Sequence, residues 1–327
     1  MSLLPPRVDR HTHLEGSLDP AWVKAQAQRE GLGLPPSLEA LWRDEIVPFE
    51  AFIPAFFFSC GFLRGAEAAR EILRAAVRRL APGADGPRGI DLWVSPHHLC
   101  RGAQLLTLDE LWRGMDEGIA EARAQGVQVA VVIDAVNHFG IAHGHEVLDL
   151  VLPERPDWVV GFSTGGLEGV PFRDWAPVFD RARKAGLRLA AHAGENGPGT
   201  NVRDAILEAG VSRIVHGVRA AAHPDILDLL AERRIPVDVC LTSNRCLIPD
   251  LGPHPLKAML RAGVRCALGT DDPGVMPCDL PGEWRKAQAL GLEAQDLEAL
   301  RRHAVEDAWS LQTGLIGGTR LDRAFEA

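Results

Sequence analysis

Short, nearly continuous apolar runs recur along the chain with helical stretches between them, and this alternation limits the folds open to it. The runs are "RVDRHTH" (7–13), "IDLWVSPH" (90–97), "VQVAVVIDAV" (127–136), "DWVVGFSTGG" (157–166), "LRLAAHAGE" (187–195), "RIVHGV" (213–218), "IPVDVCLTS" (235–243) and "VRCALGTDD" (264–272). Such runs suit strands buried on both faces, as in a parallel sheet whose crossovers are helices. The segments 108–126, 173–186 and 223–234 read as those helices, the first two closing on a Gly suited to a helix C-terminus. About eight strands close a parallel barrel, so the expected fold is α/β, a (β/α)8 TIM barrel. Extra helices are expected between strands 1 and 2, where 49–80 is long for one crossover, and a helical tail from about 281. An open doubly wound sheet is the alternative, but no Gly-x-Gly-x-x-Gly or Walker loop opens the first helix. Neither a linker nor an internal repeat interrupts the pattern, and residues 1–327 are expected to form a single domain.

Composition narrows the partners. With 46% hydrophobic and 24% charged residues the chain is that of a soluble globular protein. A formal net charge of −9, with basic residues no more than paired, argues against nucleic acid or an anionic membrane as partner and leaves a small-molecule substrate. The apolar run at 51–58 is short and broken by Pro54, and "MSLLPPRV" is too short for a signal peptide. The six cysteines form no Cys-x-x-Cys pair, which fits reduced thiols in the cytoplasm.

Chemistry gathers at the C-terminal strand ends of such a barrel. The first run ends in His11 and His13, which on an extended strand project from the same face. The fifth ends in His192 and Glu195, the sixth contains His216, and the eighth ends in Asp271 and Asp272. A strand-end His is often merely hydrogen-bonded and an Asp-Asp-Pro often only a turn. Their coincidence on one rim points instead to metal binding and proton transfer.

The set "HTHLEGS", "HAGE", "RIVHG", "LTSN" and "GTDDP", in this order from Asp9 to Pro273, resembles the adenosine deaminase family of metal-dependent aminohydrolases. The resemblance implies a (β/α)8 barrel with one Zn²⁺ per chain, held by His11, His13, His192 and Asp271, with a position left for water whose pKa the ion lowers. It further implies that His216 orients or deprotonates that water, Glu195 protonates purine N1, Asp272 meets N7, and Gly166, or Gly165 if the alignment slips by one, offers a backbone N–H to N3. Zinc deaminases with the His-x-Glu and Pro-Cys-x-x-Cys signature use another scaffold, and that signature is lacking here. The fourth run contains no Lys to bridge two metals, so one metal is expected.

Departures blur the substrate. Glu15 follows His-x-His-Leu where adenosine deaminases usually carry Asp, which resembles the adenine deaminase branch; it would read a sugar hydroxyl or fill the sugar's space. Gly166-Leu167-Glu168 replaces Gly-Asp-Glu, and Trp93 replaces an Arg common on strand 2. The "CLTSN" segment also resembles the branch acting on N6-substituted AMP, although no basic cluster for a phosphate is evident. The expected activity is deamination of a 6-aminopurine, adenosine first, with adenine or a modified aminopurine nucleoside or nucleotide as alternatives. A non-catalytic purine-binding relative and a barrel amidohydrolase opening another amide or amidine are the remaining readings.

Overall fold

The computed structural model describes residues 5–82 and 86–312. Eight strands form one parallel sheet in chain order: β1 (Val8–His13), β2 (Arg88–Val94), β3 (Val127–Val136), β4 (Val159–Gly165), β5 (Arg188–Ala193), β6 (Arg213–His216), β7 (Pro236–Val239) and β8 (Arg265–Leu268). The ends of this sheet meet just beyond β8. Asp271 N–H donates to the His11 carbonyl (2.8 Å) and the Asp271 carbonyl accepts from His13 N–H (2.7 Å). The result is the expected (β/α)8 barrel.

Between β1 and β2 lie four helices, α1 (Pro20–Arg29), α2 (Pro36–Trp42), α3 (Phe49–Cys60) and α4 (Gly65–Arg78), so the insertion begins earlier than the segment 49–80 singled out in the sequence. The Phe-rich α3 lies over the barrel mouth. The crossover α5 (Leu108–Ala124) shows why these segments are helical. Thr107 and Glu110 form a reciprocal capping box, and Leu111, Met115 and Ile119 recur every four residues on the face turned to the barrel, all fully buried. Each such side chain contributes about 1.5–3 kcal/mol of burial, and Leu111→Ala would cost about 2–5 kcal/mol.

The remaining helices are α6 (Gly140–Val151), α7 (Phe172–Lys184), α8 (Thr200–Asp204), α9 (Pro224–Glu232), α10 (Leu241–Leu247), α11 (Leu256–Arg261), α12 (Leu280–Ala289), α13 (Ala294–Glu306) and α14 (Trp309–Gln312). The last three form the expected tail, whose end beyond residue 312 lies outside the described residues. Among those residues no single helix is long and apolar enough to cross a membrane.

That tail covers a buried charge network inside the barrel. Arg213 on β6 pairs with Asp91 (2.7 Å) and Asp238 and also donates to the Arg10 carbonyl, while Arg10 lies 3.1 Å from Asp238. The backbone N–H groups of Trp309 (2.9 Å) and Ser310 (2.7 Å) donate to Asp91. The two acids diverge for this reason. Burial raises both, but at Asp91 the two arginines and the Ser310 bond outweigh it and hold the carboxyl below its ordinary value. At Asp238 burial prevails. Trp93, the departure on strand 2 noted in the sequence, packs against this network: the Arg213 guanidinium lies 4.9 Å from its ring and 4.8 Å from that of Trp309. Trp93 also meets the His11 ring edge-on at 4.4 Å, so it links the charge network to the rim.

Candidate active site

At the C-terminal ends of the strands is a cavity of about 80 Å³ whose walls include His13, His192, Glu195, His216, Asp271 and Asp272, roofed by Phe residues of α3. A roomier groove of about 640 Å³ between α1 and α4 contains none of these groups.

The period of β1 turns His11 and His13 to one face, and both are buried. Barrel closure then brings Asp271 between them: its Oδ1 is 3.2 Å from His11 Nε2 and 3.5 Å from His13 Nε2. From β5, His192 Nε2 comes within 3.3 Å of His13 Nε2. Its Nδ1–H donates to the Thr164 carbonyl (2.9 Å), which leaves the Nε2 lone pair facing inward. Burial pushes the three imidazoles below their ordinary pKa, His192 to about 4, so they stand neutral, as ligands must. A tetrahedral ion with bonds of ~2.0–2.1 Å separates its ligand atoms by about 3.3–3.4 Å, and the His11–Asp271, His13–Asp271 and His13–His192 spacings lie close to that. The donor set therefore fits a zinc-like divalent ion.

Two of these positions require unusual backbone. His216 (φ 64°) and Asp271 (φ 62°) are left-handed, a conformation that costs about 1–3 kcal/mol in residues other than Gly and that gathers at functional sites. Asp272 depends on a neighbour's lack of a side chain: a Cβ on Gly16 would stand 1.7 Å from its Oδ1. That oxygen is buried without a hydrogen-bond partner among the described residues, and burial, then Asp271 and Glu15, push the carboxyl above its usual range. Gly166 (φ 83°) and Gly165 both line the cavity.

Glu195 is buried with Oε1 3.6 Å from His216 Nε2. Burial, then the charges of Asp271 and Glu168, push it well above the usual carboxylate range, towards the neutral acid. Its position comes from Glu168, whose role the sequence did not signal beyond an acid in the loop after β4. One oxygen of Glu168 accepts the N–H groups of Glu195 (2.8 Å), Asn196 (3.1 Å) and Gly197 (3.1 Å), and the other accepts from Gly194 (2.9 Å) and Asn201 Nδ2 (2.7 Å).

A second missed element is the tautomer relay behind His216. Leu256 N–H donates to His254 Nδ1 (3.2 Å), so the His254 proton is on Nε2 and goes to Asn244 Oδ1 (3.2 Å). The Asn244 amide then donates to His216 Nδ1 (3.0 Å), which places the neutral ring's proton on Nε2, facing Glu195 and Asp271. Asn244 ends the "LTSN" motif; nothing in the sequence pointed to His254. Also missed was Asp134 near the end of β3, which is buried, lines the cavity and has an Oδ1 without a partner among the described residues.

Glu15 is placed differently from the rest. It is fully buried in a 3-10 turn (Glu15–Ser17) and is not part of the cavity wall. One oxygen accepts Ser95 N–H (2.6 Å) and the other has no hydrogen-bond partner among the described residues, while burial raises the carboxyl to about 7. Ser95 itself lines the cavity.

The adenosine deaminase family model matches residues 6–314. The chain belongs to the adenosine deaminase family. It is accordingly a metal-dependent hydrolase acting on C–N bonds. An adenine deaminase from Cupriavidus pinatubonensis is 34% identical over 312 residues, covering 93% of this chain and 87% of the relative. Among solved structures, an adenine deaminase from Arthrobacter aurescens superposes with TM-score 0.82 at 25% identity, over 95% of this chain and 97% of the other. An amidohydrolase from Burkholderia ambifaria with bound Zn has TM-score 0.78 at 22% identity, over 93% and 86% of the two chains, and shares the fold.

Proposed function

We propose that this member of the family is an adenine deaminase, converting adenine and water to hypoxanthine and ammonia. The observation that carries the reading is the cavity's size and lining: at about 80 Å³ it is small against the ~300–1,000 Å³ typical of larger ligands, which favours a bare base over a nucleoside, and among the described residues no Lys or Arg lines it to meet a phosphate. The relatives' names support adenine better than adenosine, the first expectation from the sequence.

In this reading His11, His13, His192 and Asp271 hold one Zn²⁺, whose chemistry is to make hydroxide available near neutral pH. His216, with its proton on Nε2, orients the attacking oxygen towards C6. Addition at C6 drives electron density onto N1, where Glu195, held neutral by burial, delivers its proton. Asp272, whose buried Oδ1 has no hydrogen-bond partner among the described residues, meets N7, and the Gly166 N–H meets N3. Proton transfer to the exocyclic nitrogen then releases ammonia. The chain acts on a small molecule and works as a cytoplasmic enzyme.

The test is release of ammonia from adenine and adenosine, and of methylamine from N6-methyl-AMP. Adenine is expected to have the highest kcat/KM. A higher value for adenosine would overturn the substrate, and no release from any aminopurine would favour a non-catalytic relative.

A further inference from the structure

Away from the catalytic set, three potential ligands meet where the end of β2 faces α6. His143 and Glu146 stand one turn apart on α6, and His97 reaches them from the turn after β2. One donor atom from each lies within 4.8 Å of the others, and His97 Nε2 is 3.3 Å from Glu146 Oε2. We propose that His97, His143 and Glu146 form a second divalent-cation site, suited to zinc, at the rim of the barrel.

Two imidazoles and a carboxylate are donors that zinc and its transition-metal neighbours prefer, whereas Mg²⁺ and Ca²⁺ take oxygen. The 3.3 Å spacing is that of neighbouring ligands on a tetrahedral ion with bonds of about 2.0–2.2 Å. The Glu146 side chain is 62% exposed and that of His97 22%, so both can rotate to complete the set around the less mobile, buried His143. Burial, then the neighbouring His97, His138 and His98, hold His143 neutral, with its pKa lowered to about 4. It can therefore bind metal without first losing a proton. Solvent reaches the Glu146 side, which leaves room for water as a fourth ligand.

The site shares no residue with the catalytic set, yet it touches the same rim. His97 is two residues beyond Ser95, which lines the cavity and holds Glu15. Phe139, which packs on His143 (5.2 Å), also packs on the cavity-lining His138 (4.7 Å). An ion here ties the end of β2 to α6.

Calorimetric titration of Zn²⁺ into the protein as purified, with its tightly held metal first counted by elemental analysis, tests this. The wild type should take up one further equivalent. His97→Asn and Glu146→Gln should each lose it while keeping the first ion and normal deamination. The exposed Glu146→Gln change keeps the test independent of folding. Absence of a further equivalent in the wild type, or unchanged uptake in both variants, would overturn the proposal and leave His97 and Glu146 as an ordinary ion pair.

Discussion

The Glu168 carboxylate accepts the backbone N–H of Glu195 at 2.8 Å, and through four further bonds it fixes the loop that carries the proposed proton donor. Its negative charge also helps keep Glu195 protonated. Glu168→Gln would turn an NH₂ group towards backbone N–H donors. Turnover should fall about ten- to a hundredfold, the range typical of residues that orient a reacting group, with metal content unchanged. Near-normal steady-state kinetics in this variant would remove Glu168 from the positioning role.

Glu195→Gln keeps the side chain's shape but has no carboxyl proton to deliver to N1. A loss of ~10²-fold or more in kcat is expected, with the metal still bound by elemental analysis. A Gln variant that turns over normally would mean that another group protonates the ring.

His11, His13, His192 and Asp271 predict about one tightly held divalent ion per chain after desalting, with activity lost on chelation and restored by Zn²⁺. Full activity in the stripped protein, or two ions that survive desalting in the Glu146→Gln variant, where the proposed rim site is broken, would contradict a mononuclear catalytic site.

Glu15 tests how base and nucleoside are told apart. If its unpartnered oxygen or its bulk acts on the space beyond the purine, Glu15→Ala should change the ratio of kcat/KM for adenine and adenosine by about 1–3 kcal/mol, the worth of a hydrogen bond to a charged group. Equal effects on both substrates would assign Glu15 to holding Ser95 and the rim.

Arg213→Leu should destabilise the barrel by about 3–5 kcal/mol, because it leaves Asp91 and Asp238 buried with one guanidinium fewer. Urea unfolding measures this directly. A loss below 1 kcal/mol would show that Arg10 alone suffices for both acids.

The number of strands, the alternation with helices and the pairing of His11 with His13 were legible in the sequence, because each follows from a local period that side-chain polarity records. The strand-end residues His192, Glu195, His216, Asp271 and Asp272 were legible as motifs for the same reason. Their convergence on one cavity was not. Asp271 reaches His11 across a separation of 260 residues only because the backbone after β8 pairs with β1 and closes the barrel. The roles of Glu168 and His254 were not legible: Glu168 works through backbone N–H groups, which every residue but Pro carries, and His254 meets Asn244 only because the fold brings the two side chains together. Trp93 was legible as a departure, but its place between Arg213 and His11 depends on which strands face one another across the barrel. Local periodicity thus determined the elements and the faces they offer, while strand register and closure decided which faces meet and how much room they leave.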